Sequence, residues 1–292
     1  MIATPPTVVG VDGSSASLDA VRWAAYDAHL HHSQLTLVSS ICPPTNAMLP
    51  ASYFATLQEQ CERALIEARA LVFQTVDDES ELNVSTEVAA QAPIPALLEF
   101  SKTARMVVTG SRGIGKFNRA LLGSVSSALA SHTRSPLTVV REWGATDQAG
   151  RKTVVVGTDG SPAGMPALET AFEQAEARGV SVTVVHAWAD GDFSSVHGNQ
   201  SLQPWAWPAV REEAENILDH GLKDLRQKYP QVRVRPVVTR DRPAHALLDH
   251  AQAAQMVVVG THGRGGFRGM LLGSTSRKIL HSAMCPVTIV PR

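Results

Sequence analysis

The sequence states one unit twice, and this limits the fold more than anything else in it. Residues 106–140 coincide with residues 256–290 at 15 of 35 positions when shifted by 150. Met106–Gly110 returns as Met256–Gly260, and Leu121–Ser124 as Leu271–Ser274. The openings also match, at a shift of 147: Val9–Ser14 reads VGVDGS and Val156–Ser161 reads VGTDGS. A repeat of this length is a whole domain, not a solenoid module. Two homologous domains are therefore expected, residues 1–143 and 151–292. They join near Glu142–Lys152, where Gly144, Gly150 and polar residues interrupt the pattern. A chain of 292 residues suits two domains at roughly 100–200 residues each.

Each unit alternates strand and helix signals. In the first, strands are predicted at Thr7–Val11, Leu35–Val38, Val84–Val88, Met106–Thr109 and Leu137–Val140. Ser14, Ser15 and Ser17 offer N-caps to a helix whose apolar face is Leu18, Val21, Ala25 and Ala28. Further helices are predicted over about 53–76, 96–102 and 122–132. In the second unit, strands are predicted near Thr153–Gly157, Ser181–Val185, Val232–Thr239, Met256–Val259 and Val287–Val290. Strands separated by helices imply parallel βαβ units, an α/β fold with a sheet covered on both faces. Continuous apolar runs such as Met256–Val259 fit strands buried on both sides.

Composition narrows the partners. At 44% hydrophobic and 18% charged, the chain has apolar material for two cores. Lys and Arg number 26 against 27 Asp and Glu, and this balance disfavours nucleic acid. No apolar run approaches the ~18–20 residues of a membrane span, and Met1–Thr7 lacks the pattern of a secretory leader. Cys42, Cys61 and Cys285 are odd in number and far apart, as expected of reduced thiols in a cytoplasmic protein.

The chemistry concentrates in a glycine loop after each fourth strand. Gly110-Ser-Arg-Gly113 leads to Gly123-Ser124, and Gly260-Thr-His-Gly263 leads to Gly273-Ser274, both fitting G-x2-G-x9-G-[ST]. Glycines let backbone N–H groups approach phosphate oxygens, and the helix that follows adds unpaired N–H groups and a favourable dipole. The dipole supplies only ~0.3–1 kcal/mol, whereas several charge-assisted N–H contacts at roughly 1.5–3 kcal/mol each suffice for a polyphosphate. The competing reading is a glycine-rich turn that merely joins strand to helix. Gly110-x4-Gly115-Lys116 nearly matches a Walker A loop, but Phe117 follows and the second unit has Gly266 in place of the lysine. A P-loop NTPase is therefore rejected. The start Gly10-Val-Asp-Gly13 is not G-x-G-x-x-G, which weakens a dinucleotide-binding reading. Asp12 and Asp159 follow the first strands. They suit ribose, an adenine amino group or a phosphate-bound Mg²⁺, or else a local Asx turn or helix cap. If strands one and four are neighbours at a topological switch point, both motifs face one crevice.

With these two motifs together, each present twice, the sequence resembles the universal stress protein family, and most of all its tandem-domain, ATP-binding mycobacterial branch. The resemblance spans essentially the whole chain. It implies two Rossmann-like (adenine nucleotide alpha hydrolase-like) domains, each a five-stranded parallel sheet in order 3-2-1-4-5 with helices on both faces. It implies ATP as ligand, any Mg²⁺ riding on the nucleotide phosphates with no metal held by protein side chains alone, and a role in stress adaptation or growth without robust catalysis. Carried over by residue, Gly10 and Asp12 would touch adenosine and Ile41 would line the adenine pocket. Gly110, Ser111, Arg112, Gly113, Ile114, Gly115, Lys116, Gly123, Ser124 and Val125 would hold ribose and phosphates. In the second unit the set is Gly157, Asp159, Asp190, Gly260, Thr261, His262, Gly263, Arg264, Gly265, Gly266, Gly273, Ser274, Thr275 and Ser276. The segments after strand two, Ser39–Ile41 and His186–Trp188, differ, so unequal adenine packing is expected. The last strands are the family's usual pairing edge, which implies an intramolecular pseudo-dimer, a homodimer of chains and a protein partner of unknown identity.

Other features are set aside. The histidines show neither His-x3-His nor His-Glu-x2-His spacing, and no Gly-x-Ser-x-Gly elbow occurs. Trp205 and Trp207 lie in a proline-flanked segment and are read as loop packing. Two rivals to a nucleotide-binding regulator stand: a slow ATPase or phosphotransferase, and a nucleotide-free scaffold.

Overall fold

The computed structural model describes residues 4–41, 50–76, 82–113, 122–141, 143, 153–187, 207–263 and 272–292. The chain divides into two compact units, Met1–Gly144 and Ala145–Val290, with Arg292 counted in the second.

The first unit runs β1 (Thr7–Gly10), α1 (Ser15–Leu30), β2 (Leu35–Ser40), α2 (Ala51–Thr75), β3 (Val84–Ala89), α3 (Pro93–Phe100), β4 (Met106–Gly110), α4 (Ser124–His132) and β5 (Leu137–Val140). All its strand pairs are parallel, in the order β3-β2-β1-β4-β5. Chain order runs outward from β1 in one direction and from β4 in the other. Right-handed crossovers therefore place the first two helices on one face and the last two on the opposite face. The contacts agree: α1 packs on α2, and α3 on α4. Val8, Val9, Leu35, Leu37, Val107, Val108, Leu137 and Val140 fill the middle layer and are all fully buried. On α1, Val21, Ala25 and Ala28 are fully buried as their spacing requires, while Leu18 is half-buried.

The second unit repeats the plan with β6 (Thr153–Gly157), a 3₁₀ turn (Pro162–Gly164), α5 (Met165–Arg178), β7 (Ser181–Ala187), α6 (Trp207–Lys228), β8 (Val234–Thr239), α7 (Pro243–Ala251), β9 (Ala254–Gly260), α8 (Ser274–Ser282) and β10 (Val287–Val290). Its parallel order is β8-β7-β6-β9-β10. α5 ends on Gly179 at φ +63, a left-handed cap that glycine adopts without Cβ strain.

Several boundaries differ from the sequence reading. α3 begins at Pro93, not Ala96, because proline at the first helical position gives up an N–H that is unpaired there anyway. The 3₁₀ turn before α5 is unforeseen, and Pro162 starts it in the same way. Five strands, β2, β3, β4, β7 and β9, run one to three residues further, since flanking Ser, Ala and Gly still pair in register, while β1 stops at Gly10 and β8 starts only at Val234.

At the amino ends of the first unit's strands lies a buried charge. Asp27 of α1 is fully buried and ion-paired with Arg105, which also donates to the Thr7 hydroxyl at 3.1 Å. His31 Nε2 stands 3.7 Å from the same carboxylate. At the matching positions, 147 and 150 residues on, the second unit has Gln174 and Gln255, both buried. Among the described residues no helix is long and apolar enough to cross a membrane. Cys61 and Cys285 are buried, and Cys42 lies outside the described residues.

Candidate functional site

The neighbours β1 and β4 pair in register from Thr7↔Met106 to Val9↔Val108. β6 and β9 pair likewise, with a register shift between Thr153 and Val154. At these strands the direction of chain progress reverses, and the crevice beyond their carboxyl ends is where open α/β sheets take ligands.

The loop after β1 is a tight turn made by Asp-Gly-Ser. Asp12 Oδ1 accepts the Ser14 N–H at 2.9 Å, an Asx turn, and Gly13 sits at φ +80. Ser14 then caps α1, its hydroxyl accepting the Ser17 N–H at 3.2 Å. The second unit repeats the turn: Asp159 Oδ1 accepts the Ser161 N–H at 2.9 Å, and Gly160 has φ +73. The left-handed backbone explains why both copies carry glycine inside Asp-Gly-Ser. Gly10 and Gly157 are glycine for another reason. A Cβ on either would press on Leu97 of α3 at 3.0 Å or Leu247 of α7 at 2.9 Å, so their missing side chains let a helix lie close on the strand end.

The second motif meets the first. A Cβ on Gly113 would stand 2.4 Å from Asp12 Oδ2, and one on Gly263 would stand 3.1 Å from Asp159 Oδ2. In both units the aspartate and the second glycine of the loop are thus in contact. A backbone bond spans the loop: Gly123 N–H donates to the Ser111 carbonyl at 2.8 Å, and Gly273 N–H to the Thr261 carbonyl at 2.7 Å. Gly123 and Gly273 are the N-cap residues of α4 and α8, and neither helix start has a side-chain cap among the described residues. A helix without such a cap keeps its first N–H groups available to an anion. Ser124 and Ser274 occupy the first helical position and are exposed, while Val125 and Thr275 are half-buried.

Ser276 sits near the start of α8 and is buried. Its hydroxyl donates to the Gly260 carbonyl at 2.6 Å and so ties α8 to the end of β9. Ser126, which the sequence reading passed over, donates in the same way to the Gly110 carbonyl at 2.7 Å. The shared Ser-x-Ser of the two helix starts was the available signal. The Ser111 hydroxyl and Arg112 Nε are buried without a hydrogen-bond partner among the described residues. Gly113 and Gly263 are exposed at the rim, and Gly260, Thr261 and His262 are half-buried.

At the carboxyl ends of β2 and β7 the units diverge. His186 at the end of β7 is buried with Nδ1 3.1 Å from the Thr158 carbonyl, and the matching residue in β2 is the buried Ser39. Ile41 is half-buried, its N–H donating to the Ala89 carbonyl at 2.9 Å. Ile114, Gly115, Lys116, Trp188, Asp190, Trp205, Arg264, Gly265 and Gly266 lie outside the described residues.

A sequence model of the universal stress protein family matches residues 5–141 and 150–291. The chain belongs to the universal stress protein family. Universal stress protein relatives share its length as well as its sequence. One of Mycolicibacterium smegmatis is 38% identical over 288 residues, covering 97% of this chain and 96% of its own. One of Mycobacterium tuberculosis is 39% identical over 300 residues, covering 97% and 93%. The fold is similar to the crystal structure of a universal stress protein from Archaeoglobus fulgidus, with a TM-score of 0.70 at 20% identity and 98% of both chains covered. A putative universal stress protein from Pseudomonas aeruginosa has a TM-score of 0.59 at 16% identity, covering 99% of this chain and 94% of its own.

Proposed function

We propose that this universal stress protein is an ATP-binding regulator with one adenine nucleotide per unit, not a robust catalyst. The observation that carries the reading is the duplicated crevice. In each unit a helix start without a side-chain cap is clasped to its strand by the Gly123–Ser111 or Gly273–Thr261 bond, beside an aspartate fixed in a turn. The groups present fit a polyphosphate. Backbone N–H groups at Ser124 and Ser274 supply donors, their hydroxyls add more, and the buried Ser111 hydroxyl has donor capacity to spare among the described residues. Asp12 and Asp159 would face the ribose or base. Bound nucleotide would set which surface is offered to a protein partner or a second chain.

Two measurements test this. Mass spectrometry of small molecules released on denaturing the purified protein should find adenine nucleotide. Calorimetry with ATP should find two sites, one of which Gly113→Ala weakens at least tenfold by driving Asp12 out of its turn. Vacant protein that takes up no ATP would leave a scaffold. Steady ADP release abolished by one substitution would favour the slow ATPase.

A further inference from the structure

Away from the crevice, the described residues of the second unit include a cluster of metal-ligating side chains. Asp241, His245 and Asp249 are spaced four residues apart and share one face of α7 and its entry. One donor atom from each lies within 4.8 Å of the other two. His245 Nδ1 stands 2.5 Å from Asp241 Oδ2 and 3.6 Å from Asp249 Oδ2, so the imidazole nitrogen faces both carboxylates. The other oxygen of Asp241 accepts the Arg242 N–H at 2.6 Å, which holds that carboxylate in orientation from behind. The helix fixes the spacing of His245 and Asp249, and the Arg242 N–H orients Asp241 just before it, so the main cost of collecting the donors is side-chain rotamer freedom. The first unit has Gln91, Pro95 and Glu99 at the matching positions, with no imidazole. The arrangement is therefore peculiar to one half of a duplicated chain.

We propose that Asp241, His245 and Asp249 form a surface site for one first-row transition dication such as Zn²⁺. Imidazole nitrogen with carboxylate oxygens suits Zn²⁺, Ni²⁺ or Cu²⁺ better than Mg²⁺, which prefers oxygen and water alone. Three protein donors leave the remaining positions to water or to a donor from another molecule. The ion would join His245 and Asp249 of α7 to Asp241, two residues before the helix begins. The site shares no residue with the nucleotide crevice, so the two readings stand or fall separately.

The test is calorimetric titration of the full chain with Zn²⁺, in nucleotide-free buffer, for the wild type, His245→Gln and Asp249→Asn. Asp249→Asn keeps the Asp241–His245 bond and the Arg242 contact, so the helix start survives, as circular dichroism can verify. The wild type should bind one Zn²⁺ that excess Mg²⁺ does not displace, and each variant should weaken that event at least tenfold. Equal Zn²⁺ uptake by the wild type and either variant overturns the assignment. So does full displacement by Mg²⁺.

Discussion

The same substitution made in the two copies should give opposite results. Gly110 ends β4, and a Cβ built on it would lie 2.6 Å from both the carbonyl carbon and oxygen of Ala16 and 2.9 Å from the Ser17 nitrogen. These are backbone atoms in the first turn of α1, so no rotamer change relieves the contact. The helix start must move by close to an ångström. Overpacking of this kind costs about 1–3 kcal/mol, and disturbing the Ser14 cap adds about 1 kcal/mol. Gly110→Ala should therefore destabilise the first unit by roughly 2–4 kcal/mol. Gly260 ends β9, where the nearest atom to a built Cβ is the His262 carbonyl oxygen at 3.6 Å, an ordinary contact. Its backbone is not among the positive-φ glycines. Gly260→Ala should be neutral or stabilise by about 0.4–1 kcal/mol through the unfolded chain. The assay is hydrogen exchange of the full chain read by mass spectrometry, because peptides from the two units report separately where one melting curve would mix them. Faster exchange in α1, β1 and β4 for Gly110→Ala, with β6 and β9 unchanged for Gly260→Ala, is the expected pattern. Equal effects in the two units would refute the reasoning.

Two further outcomes follow from the charges. Asp27→Asn leaves Arg105 largely buried without its carboxylate and should cost the first unit about 3 kcal/mol, the lower end for a broken buried pair because Thr7 still accepts from the guanidinium. The double change Asp27→Gln with Arg105→Gln, which copies the second unit, should recover most of that loss in urea unfolding followed by the same exchange peptides. The His245 imidazolium is held above the usual histidine range, first by its hydrogen bond to Asp241 and then by the charges of Asp241 and Asp249. That contribution is complete below the pKa of an unfolded imidazole and is lost as pH rises through the raised folded value. An NMR titration of chelator-treated protein should show the raised value, and Asp241→Asn should bring it down.

Strands and the repeat were legible because they rest on local patterns. The β-branched runs of β1, β4, β6 and β9 are buried on both faces and read as such. The glycine loops were legible as motifs, but the reason for each glycine was not. Gly10 makes room for Leu97 and Gly110 for the backbone at Ala16, contacts between segments far apart in sequence. The Asp27–Arg105 pair spans 78 residues and leaves no local trace. Ser126 was recoverable from the repeat, since it aligns with Ser276. The Asp241-His245-Asp249 spacing matches no paired-histidine pattern, and a mixed imidazole–carboxylate face shows only when the segment is drawn as a helix.

The backbone bonds from Gly123 to Ser111 and from Gly273 to Thr261 fasten the two ends of an eleven-residue stretch in each unit, 112–122 and 262–272. Whatever lies between is relieved of aiming the helix behind it. If the crevice takes a nucleotide as proposed, substitutions there would bear more on the ligand than on the sheet, and the two copies could differ in preference. Transplanting 112–122 into the place of 262–272 should carry the donor's preference across while the recipient sheet stands unaltered.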